Sequence, residues 1–466
     1  MSVLEWAQMS LRPILASFAY AVVLAACATA GATPPGAQSV PATNGAHVLG
    51  ARPFLGANAG RGVTGRALCP IAQRGFGQCH AIRRTDVLEV SARDARAFGP
   101  FYEKGCFQGN AVCYAPQDLW QAYSLPATTA GSGQVVAVVD AHNDPSAESD
   151  LAMYRTKFGL SPCGSSNGCF RKVGQTGSSQ LLPAGSAWRD EESLDLEMVS
   201  AVCPNCRLLL VEASSNSLAN LAAAENEAVK LGATVISNSW SAPEWAAGDP
   251  AYDHPGVAIT ASAGDNGYGS CLPDYGCEGP QGPAGFASVI SVGGTRLIPN
   301  VSGRGFAERV WNCHQDVPAS CGLSSLSATG SGCSAIVPKP KWQTDTGCTM
   351  RSYSDISAVA DVVTGVMAVD DGEWTIWGGT SVASPIVAAA IALAGNAKSL
   401  HGASAIWRSQ GAHFFDVTVG NDVVVRTDGR GHDPGACPPV YAYICEARRG
   451  YDGPTGWGTP NGVAGL

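Results

Sequence analysis

The chain has 466 residues, of which 45% are apolar and 14% charged. That balance excludes a disordered chain, and the length allows one large core with appendages. A formal net charge of −9 with no basic run speaks against nucleic acid as a partner.

In chain order, Arg12 precedes an apolar run from Ile14 to Ala26 that is too short to span a bilayer comfortably. Residues 1–30 therefore read as a targeting segment, and the protein as extracytoplasmic: secreted, periplasmic or held at the cell envelope. Leu24-Ala25-Ala26-Cys27 resembles a bacterial lipobox, which would attach the chain to a membrane through a lipidated Cys27. Ala28-Thr29-Ala30 suits plain signal cleavage as well. The cysteines agree with export. Apart from Cys27 they fall in sequence-local pairs: Cys69/Cys79, Cys106/Cys113, Cys163/Cys169, Cys203/Cys206, Cys271/Cys277, Cys313/Cys321, Cys333/Cys348 and Cys437/Cys445. Nearest-neighbour disulfides are the simplest pairing. Cys203-Pro204-Asn205-Cys206 reads as a structural bridge rather than a redox or zinc motif.

Residues 31 to about 60 are rich in Gly, Ala and Pro and read as a linker. The following stretch to about 110 contains CHAIRRTDV, from Cys79 to Val87, and has no assignable fold; it suits a short lead-in or pro-like region. A different character begins near 111 and runs to 466. Asp118–Tyr123 suits a short helix, and Gly131 and Gly133 bracket a turn. Gln134–Asp140 is a buried strand that ends in an acid. Arg189 to about Val202 is a helix with an acidic start. Arg207–Glu212 is a strand, Leu218–Leu231 an Ala-rich helix, and Ala233–Trp240, Gly256–Ala261 and Val289–Val292 are further strands. The Ser, Gly and Cys-rich region 296–348 reads as loop. Trp377–Gly395 reads as a glycine turn followed by a core helix, with Pro385 in its first turn and Gly395 and Asn396 closing it. Apolar strands alternating with helices predict an α/β fold: a mostly parallel central sheet with helices on both faces.

Three places carry candidate chemistry. Ser381 lies at the helix N-terminus, where free N–H groups and the positive dipole end favour an oxyanion. It reads equally as a serine cap. Glu191 and Asp195 are four residues apart on one helix face, so their charges repel and one carboxyl should hold its proton. Alone, they suit a solvated acidic helix start. Asp265, after Ala263-Gly264 at a strand end, could donate to an oxyanion if protonated, or simply form an Asx-turn.

Together, and in this order, Glu191 with Asp195, Asp265 and Gly379-Thr380-Ser381 resemble the sedolisin family of serine-carboxyl peptidases, which have a subtilisin-like fold. The likeness runs from about Gly109 to Leu466. It implies Ser381 as nucleophile, Glu191 as general base, Asp195 as the acid orienting that base, and Asp265 as the oxyanion acid. Trp240 and, more weakly, Asp140 match members of the supporting network. The family also implies one structural Ca²⁺, held by Asp416 and Val417 and by Arg448, Gly450 and Asp452. Arg448 replaces the usual first glycine of that motif, where the ligand would be a main-chain carbonyl. Sedolisins usually carry a large folded propeptide, and the region before 111 is short by comparison.

The resemblance implies an exported endopeptidase, acting as a monomer on protein or peptide substrates at acidic pH. A subtilisin needs a His base, usually followed by Gly-Thr. The eight His are 47, 80, 142, 254, 314, 401, 413 and 432, and none begins His-Gly-Thr. An α/β-hydrolase needs a second glycine where Ala383 stands. The different-class alternative is a catalytically inactive exported binding protein on the same scaffold.

Overall fold

A computed structural model of the chain describes residues 63–86, 90–91, 113–179, 184, 187–269, 271–272, 276–277, 281–300, 303–313, 327–424, 437 and 439–466. All of them belong to one unit, Ala51–Leu466. The targeting segment, Cys27 and the linker lie outside the described residues. Among the described residues no helix is long and apolar enough to cross a membrane.

The elements run as follows. β1 (Gly65–Ala67), β2 (Gln78–Cys79), β3 (Ile82–Arg84) and β4 (Val90–Ser91) come first. Then come α1 (Pro116–Ala122), β5 (Val135–Ala141), α2 (Ala147–Lys157), β6 (Phe170–Gly174), α3 (Ala187–Val202) and β7 (Arg207–Ala213). They are followed by α4 (Leu218–Lys230), β8 (Val235–Asn238), β9 (Trp240–Pro243) and β10 (Ala258–Ser262). β11 (Ile290–Pro299), β12 (Phe306–Val310), β13 (Ala328–Pro338), β14 (Met350–Tyr353), β15 (Ile356–Val359), β16 (Val366–Asp370) and β17 (Glu373–Gly378) lead to α5 (Thr380–Ala394).

The central sheet has eight strands in the order β12-β11-β10-β8-β5-β7-β6, with β15 also paired to β11. Every pairing in it is parallel except β12 with β11. One face packs against α2, α3 and α5, the other against α4 and the aromatic group Trp240, Tyr252 and Phe286. Parallel strands covered on both faces need apolar side chains on both, and β5, Val-Val-Ala-Val-Val-Asp-Ala, is buried from its second residue on. α5 is buried almost all round, and hydroxyls fasten it to the sheet. Ser384 Oγ lies 3.0 Å from Ser237 Oγ and 3.1 Å from Thr260 Oγ1, and Ser262 Oγ donates to the Thr380 carbonyl at 3.0 Å.

The region 296–348 is not loop. It contains the end of β11 and all of β12 and β13. Its burial rests on small residues rather than an apolar run, so hydropathy hides it. A methyl on Gly330 would come within 2.1 Å of the Ala263 carbonyl oxygen. Ala233–Trp240 is not one strand either: β8 ends at Asn238, and β9 leaves the sheet to pair with β2. Nor does Pro385 sit in the first turn of α5, because the helix starts at Thr380. Its missing N–H falls on the carbonyl of Ser381, four residues back. The nearest donor to that carbonyl is the Ser239 hydroxyl at 3.4 Å, which lies closer to Asp195 Oδ1, at 2.7 Å.

Five of the expected disulfides are present: Cys69–Cys79, Cys163–Cys169, Cys203–Cys206, Cys333–Cys348 and Cys437–Cys445. Cys106/Cys113 and Cys313/Cys321 each have one member outside the described residues, and Cys271 and Cys277 are register partners in a short antiparallel ladder.

Ile391 is fully buried in α5. Ile391→Ala is expected to cost about 2–5 kcal/mol of unfolding free energy through lost burial and a residual cavity. Denaturant unfolding measures it, and a loss well under 1 kcal/mol would contradict this packing.

Candidate active site

Gly379 enters α5 with φ +97°, a conformation open to glycine and strained for other residues. It is the residue before the helix, so Ser381 is not the cap; it is the second helical residue. Its Oγ donates to the Ser239 carbonyl at 3.1 Å and accepts from the His80 N–H at 3.1 Å. Its own N–H lies in the first helical turn, which has no preceding helical carbonyl to bond.

α3 supplies the acids. Asp190, Glu191, Glu192, Asp195 and Glu197 are all buried, which removes the reading of a solvated helix start. Glu191 Oε2 accepts from the Ala81 N–H at 2.8 Å. Burial pushes its pKa well above the ordinary carboxylate range, Asp140 pushes it further, and the neighbouring Ser381 hydroxyl pulls it down. Asp195 Oδ1 accepts from Ser239 Oγ at 2.7 Å. Its pKa is raised well above the usual range by burial, then by Asp140 and Glu191. Asp140, at the end of β5, has no hydrogen bond to either oxygen among the described residues. Burial and the neighbouring Glu212 push it up to about 8. The three acids thus form one desolvated group behind the serine.

Asp265 stands on the other side. Its Oδ1 accepts from the Thr380 N–H at 2.9 Å and from Thr380 Oγ1 at 2.7 Å. It makes no Asx-turn; it braces the turn that carries the serine. Burial pushes its pKa up to about 7, against the lowering effect of the Thr380 bonds. Its Oδ2 faces the space beside Gly379, where a methyl would lie 3.0 Å from it and 1.8 Å from the His80 carbonyl oxygen.

Ser381, Glu191, Asp195, Asp140 and Asp265 are therefore brought together. Trp240 is adjacent through its chain: it follows Ser239, pairs with Cys79 across the β2–β9 ladder, and packs edge-on to Tyr252 at 6.0 Å. Its indole N–H has no partner among the described residues and makes no bond to the acids.

A sequence profile of the subtilase family matches residues 182–413. Kumamolisin from Bacillus sp. (strain MN-32) is 29% identical over 380 residues, covering 76% of this chain and 63% of that protein. Sedolisin from Pseudomonas sp. (strain 101) is 33% identical over 212 residues, covering 44% of this chain and 33% of that protein. The structure of Pseudomonas sedolisin, a serine-carboxyl proteinase complexed with two molecules of pseudo-iodotyrostatin, superposes with a TM-score of 0.61 at 26% identity. That match covers 76% of this chain and 96% of the solved one. The chain belongs to the sedolisin family. Its fold is accordingly subtilisin-like. The chain spans 63% and 33% of the lengths of the two sequence relatives.

Sequence reasoning passed over several groups in this sedolisin site. Ser239 lies between Asp195 and Ser381, and it stands one residue before Trp240. Thr380 braces Asp265 from within Gly-Gly-Thr-Ser. A second layer of acids lies behind the first: the Asp144 N–H is shared by Glu192 Oε2 (3.3 Å) and Glu212 Oε1 (3.2 Å), and Lys172 Nζ lies 3.0 Å from Glu212. No motif marks that layer, because only the fold brings 144, 192 and 212 together. His80 and Ala81, whose backbone contacts Ser381 and Glu191, were read as part of a segment with no assignable fold.

The raised acids set a pH dependence of stability. Asp140 (about 8), Asp265 (about 7) and Asp370 (about 8) have folded pKa values above the value of about 4 for an unfolded aspartate. Their contribution is present below about pH 4 and is lost as pH rises through about 7–8. The melting temperature is expected to be highest near pH 4 and to fall steadily toward pH 8. Asp140→Asn should flatten that decline. A melting temperature that climbs from pH 4 to 8 would refute the buried, protonated state of these groups.

Proposed function

We propose that this chain is an exported serine-carboxyl endopeptidase working in acid. One observation carries the reading: a buried serine hydroxyl stands between a desolvated glutamate and a buried aspartic acid. That geometry suits acyl transfer. Glu191 takes the Ser381 proton as Oγ attacks a peptide carbonyl, and then returns it to the leaving amine. Asp195 and Ser239 hold the site behind the serine. Asp140 raises the proton affinity of both Glu191 and Asp195. Protonated Asp265, together with the Ser381 N–H, stabilises the oxyanion. Water then resolves the acyl-enzyme. Substrates are proteins or peptides. Kumamolisin and sedolisin support this assignment through their likeness to the chain.

Activity should fall as pH rises through about 7, where Asp265 loses the proton it must donate. A rate profile on a denatured protein that peaks above neutrality would remove the carboxyl oxyanion from the mechanism. Ser381→Ala should abolish turnover with the fold retained by circular dichroism; retained cleavage would sink the assignment. Absence of any cleavage by the unaltered chain across pH 2–8 would instead favour the inactive binding protein.

Export is supported by the apolar run before Cys27 and by the five disulfides. We further propose one structural Ca²⁺. Asp416 Oδ2 accepts from the Gly450 N–H and Asp452 Oδ2 from the Arg448 N–H, both at 3.0 Å, so the expected residues do meet. Asp452 is fully buried, and its pKa is pushed up to about 8 by burial, with Asp416 adding to the rise. Among the described residues no three His, Cys, Asp or Glu side chains form a metal cluster. The fit is of two carboxylates with the main-chain carbonyls of Val417, Arg448 and Gly450, the hard oxygen set Ca²⁺ takes. The ion would tie the C-terminal loop down and neutralise the two acids. Millimolar Ca²⁺ is expected to raise the melting temperature and a chelator to lower it. No shift with either would count against the site.

A further inference from the structure

β5 and β7 are neighbouring parallel strands, and their register sets Asp140 directly opposite Glu212. Register partners face the same side of a sheet, so both carboxyls leave the ends of their strands toward α3. Glu192 meets them from that helix: its Oε2 and Glu212 Oε1 share the Asp144 N–H. Asp144 is itself tied to α3, its Oδ2 accepting from Ser193 Oγ at 2.8 Å. With Glu191 and Asp195, five buried carboxyls gather between β5, β7 and α3.

The cation set against them is Lys172 on β6, the strand beside β7. Its Nζ lies 3.0 Å from Glu212 Oε1 and donates to Asn143 Oδ1 at 2.7 Å and to the Asp144 carbonyl at 2.5 Å. An ammonium has three protons, and here three oxygens receive them. The side chain is 14% exposed, so the charge stands at the margin of the buried group. The other charges on these elements belong to the next cluster. Arg189 lies against Asp190, Asp370 and Asp371, and Arg66 and Arg83 act on Asp190. Asp150 on α2 accepts from the Asp371 and Gly372 N–H groups, and Glu197 from the Val369 N–H. His142 stands on the turn after β5, and burial lowers its affinity for a proton.

A buried charge is tolerated where an opposite charge stands beside it. One ammonium supports one carboxylate, and Glu212 is its direct partner. Burial raises the proton affinity of Glu192, Glu212 and Asp140 add to it, and Lys172 works the other way. At Glu212 the same two influences oppose each other, burial against Lys172. Glu212 in turn raises Asp140, and Asp140 raises Glu191. A change of charge at Lys172 is therefore felt at the glutamate beside Ser381 through the field alone.

We propose that Lys172, acting through Glu212 and Asp140, fixes how many protons the buried acids share and so sets the lower pH edge at which Glu191 can serve as a base. Lys172 is a positioning residue; it bonds neither to Ser381 nor to Glu191. The proposal rests on the peptidase reading for its rate measurement and stands apart from it in its proton count. Lys172→Met should move the acid-side limb of the kcat/KM profile up by about one pH unit, the order for one unit charge acting through an intervening group at an effective dielectric near 20. Glu212→Gln removes a negative charge and leaves the ammonium, so it should move the limb down. Lys172→Arg keeps the charge and should restore the native limb. The alkaline limb, assigned to Asp265 on the other side of the serine, should stay in place in all three. A limb that does not move, or that moves the same way in Lys172→Met and Glu212→Gln, would overturn the proposal, because damaged packing does not give shifts of opposite sign. Where Lys172→Met does not fold, Lys172→Gln and the downward shift of Glu212→Gln decide. The proton count is read without turnover in Ser381→Ala protein. Infrared titration of the protonated-carboxyl band should find its midpoint raised by Lys172→Met and lowered by Glu212→Gln. Those shifts in a chain that cleaves nothing would uphold the proton count and reject the peptidase; cleavage with unmoved limbs and midpoints would do the reverse.

Discussion

A carboxyl group taken out of water keeps its proton, and the site depends on that. Asp140, Glu191 and Asp195 come from two different elements and meet where no solvent reaches them. Among the described residues none of the three has a cation bonded to it; the nearest compensation recorded for the layer behind them is Lys172 on Glu212. Several negative charges there would repel at short range with little screening. The stable arrangement shares fewer charges than carboxyls. In the proposed mechanism, a proton-rich pocket is what would let a glutamate stand where other serine hydrolases use an imidazole, and let Asp265 donate to an oxyanion. On that mechanism, the same condition would tie the chemistry to acid.

Much of this was legible in residue order. β5, β7, β8 and β10 are runs of apolar residues bounded by turns, α4 carries its periodicity openly, and α5 is an apolar run too long for a strand. Ser381, Glu191, Asp195 and Asp265 are each ambiguous alone and informative in combination. What stayed hidden shares one physical property, that it is made by approach rather than by local pattern. β13 is buried because glycines let backbones touch. Ser239 breaks a strand because its carbonyl is drawn to two donors, His80 and Ser381, one far upstream and the other far downstream in sequence. The acid layer of Asp144, Glu192 and Glu212 exists only where β5, α3 and β7 converge.

The N-terminal stretch shows the same limit from another side. Its two short strands have no hydrophobic period to betray them, since β2 and β3 hold only five residues between them. Their partners, β9 and β17, are the two strands flanking the serine. A cleft edge offers unpaired backbone groups, and any extended chain with the right neighbours can complete it. Here the chain supplies its own, and the five-stranded sheet of β1, β3, β4, β16 and β17 is built partly from it.

Pro385 divides α5 into two mechanical parts. With no helical N–H returning to the Ser381 carbonyl, the ladder of the helix skips the residue that bears the candidate nucleophile. That carbonyl has Ser239 as its nearest donor, the Thr380 carbonyl is tied to Ser262, and Ser384 to Ser237 and Thr260. The first turn therefore takes its reference frame from the sheet, while the turns beyond the proline remain part of an ordinary rod. The position of a single oxygen is thereby referred to the sheet rather than to the far end of its own helix.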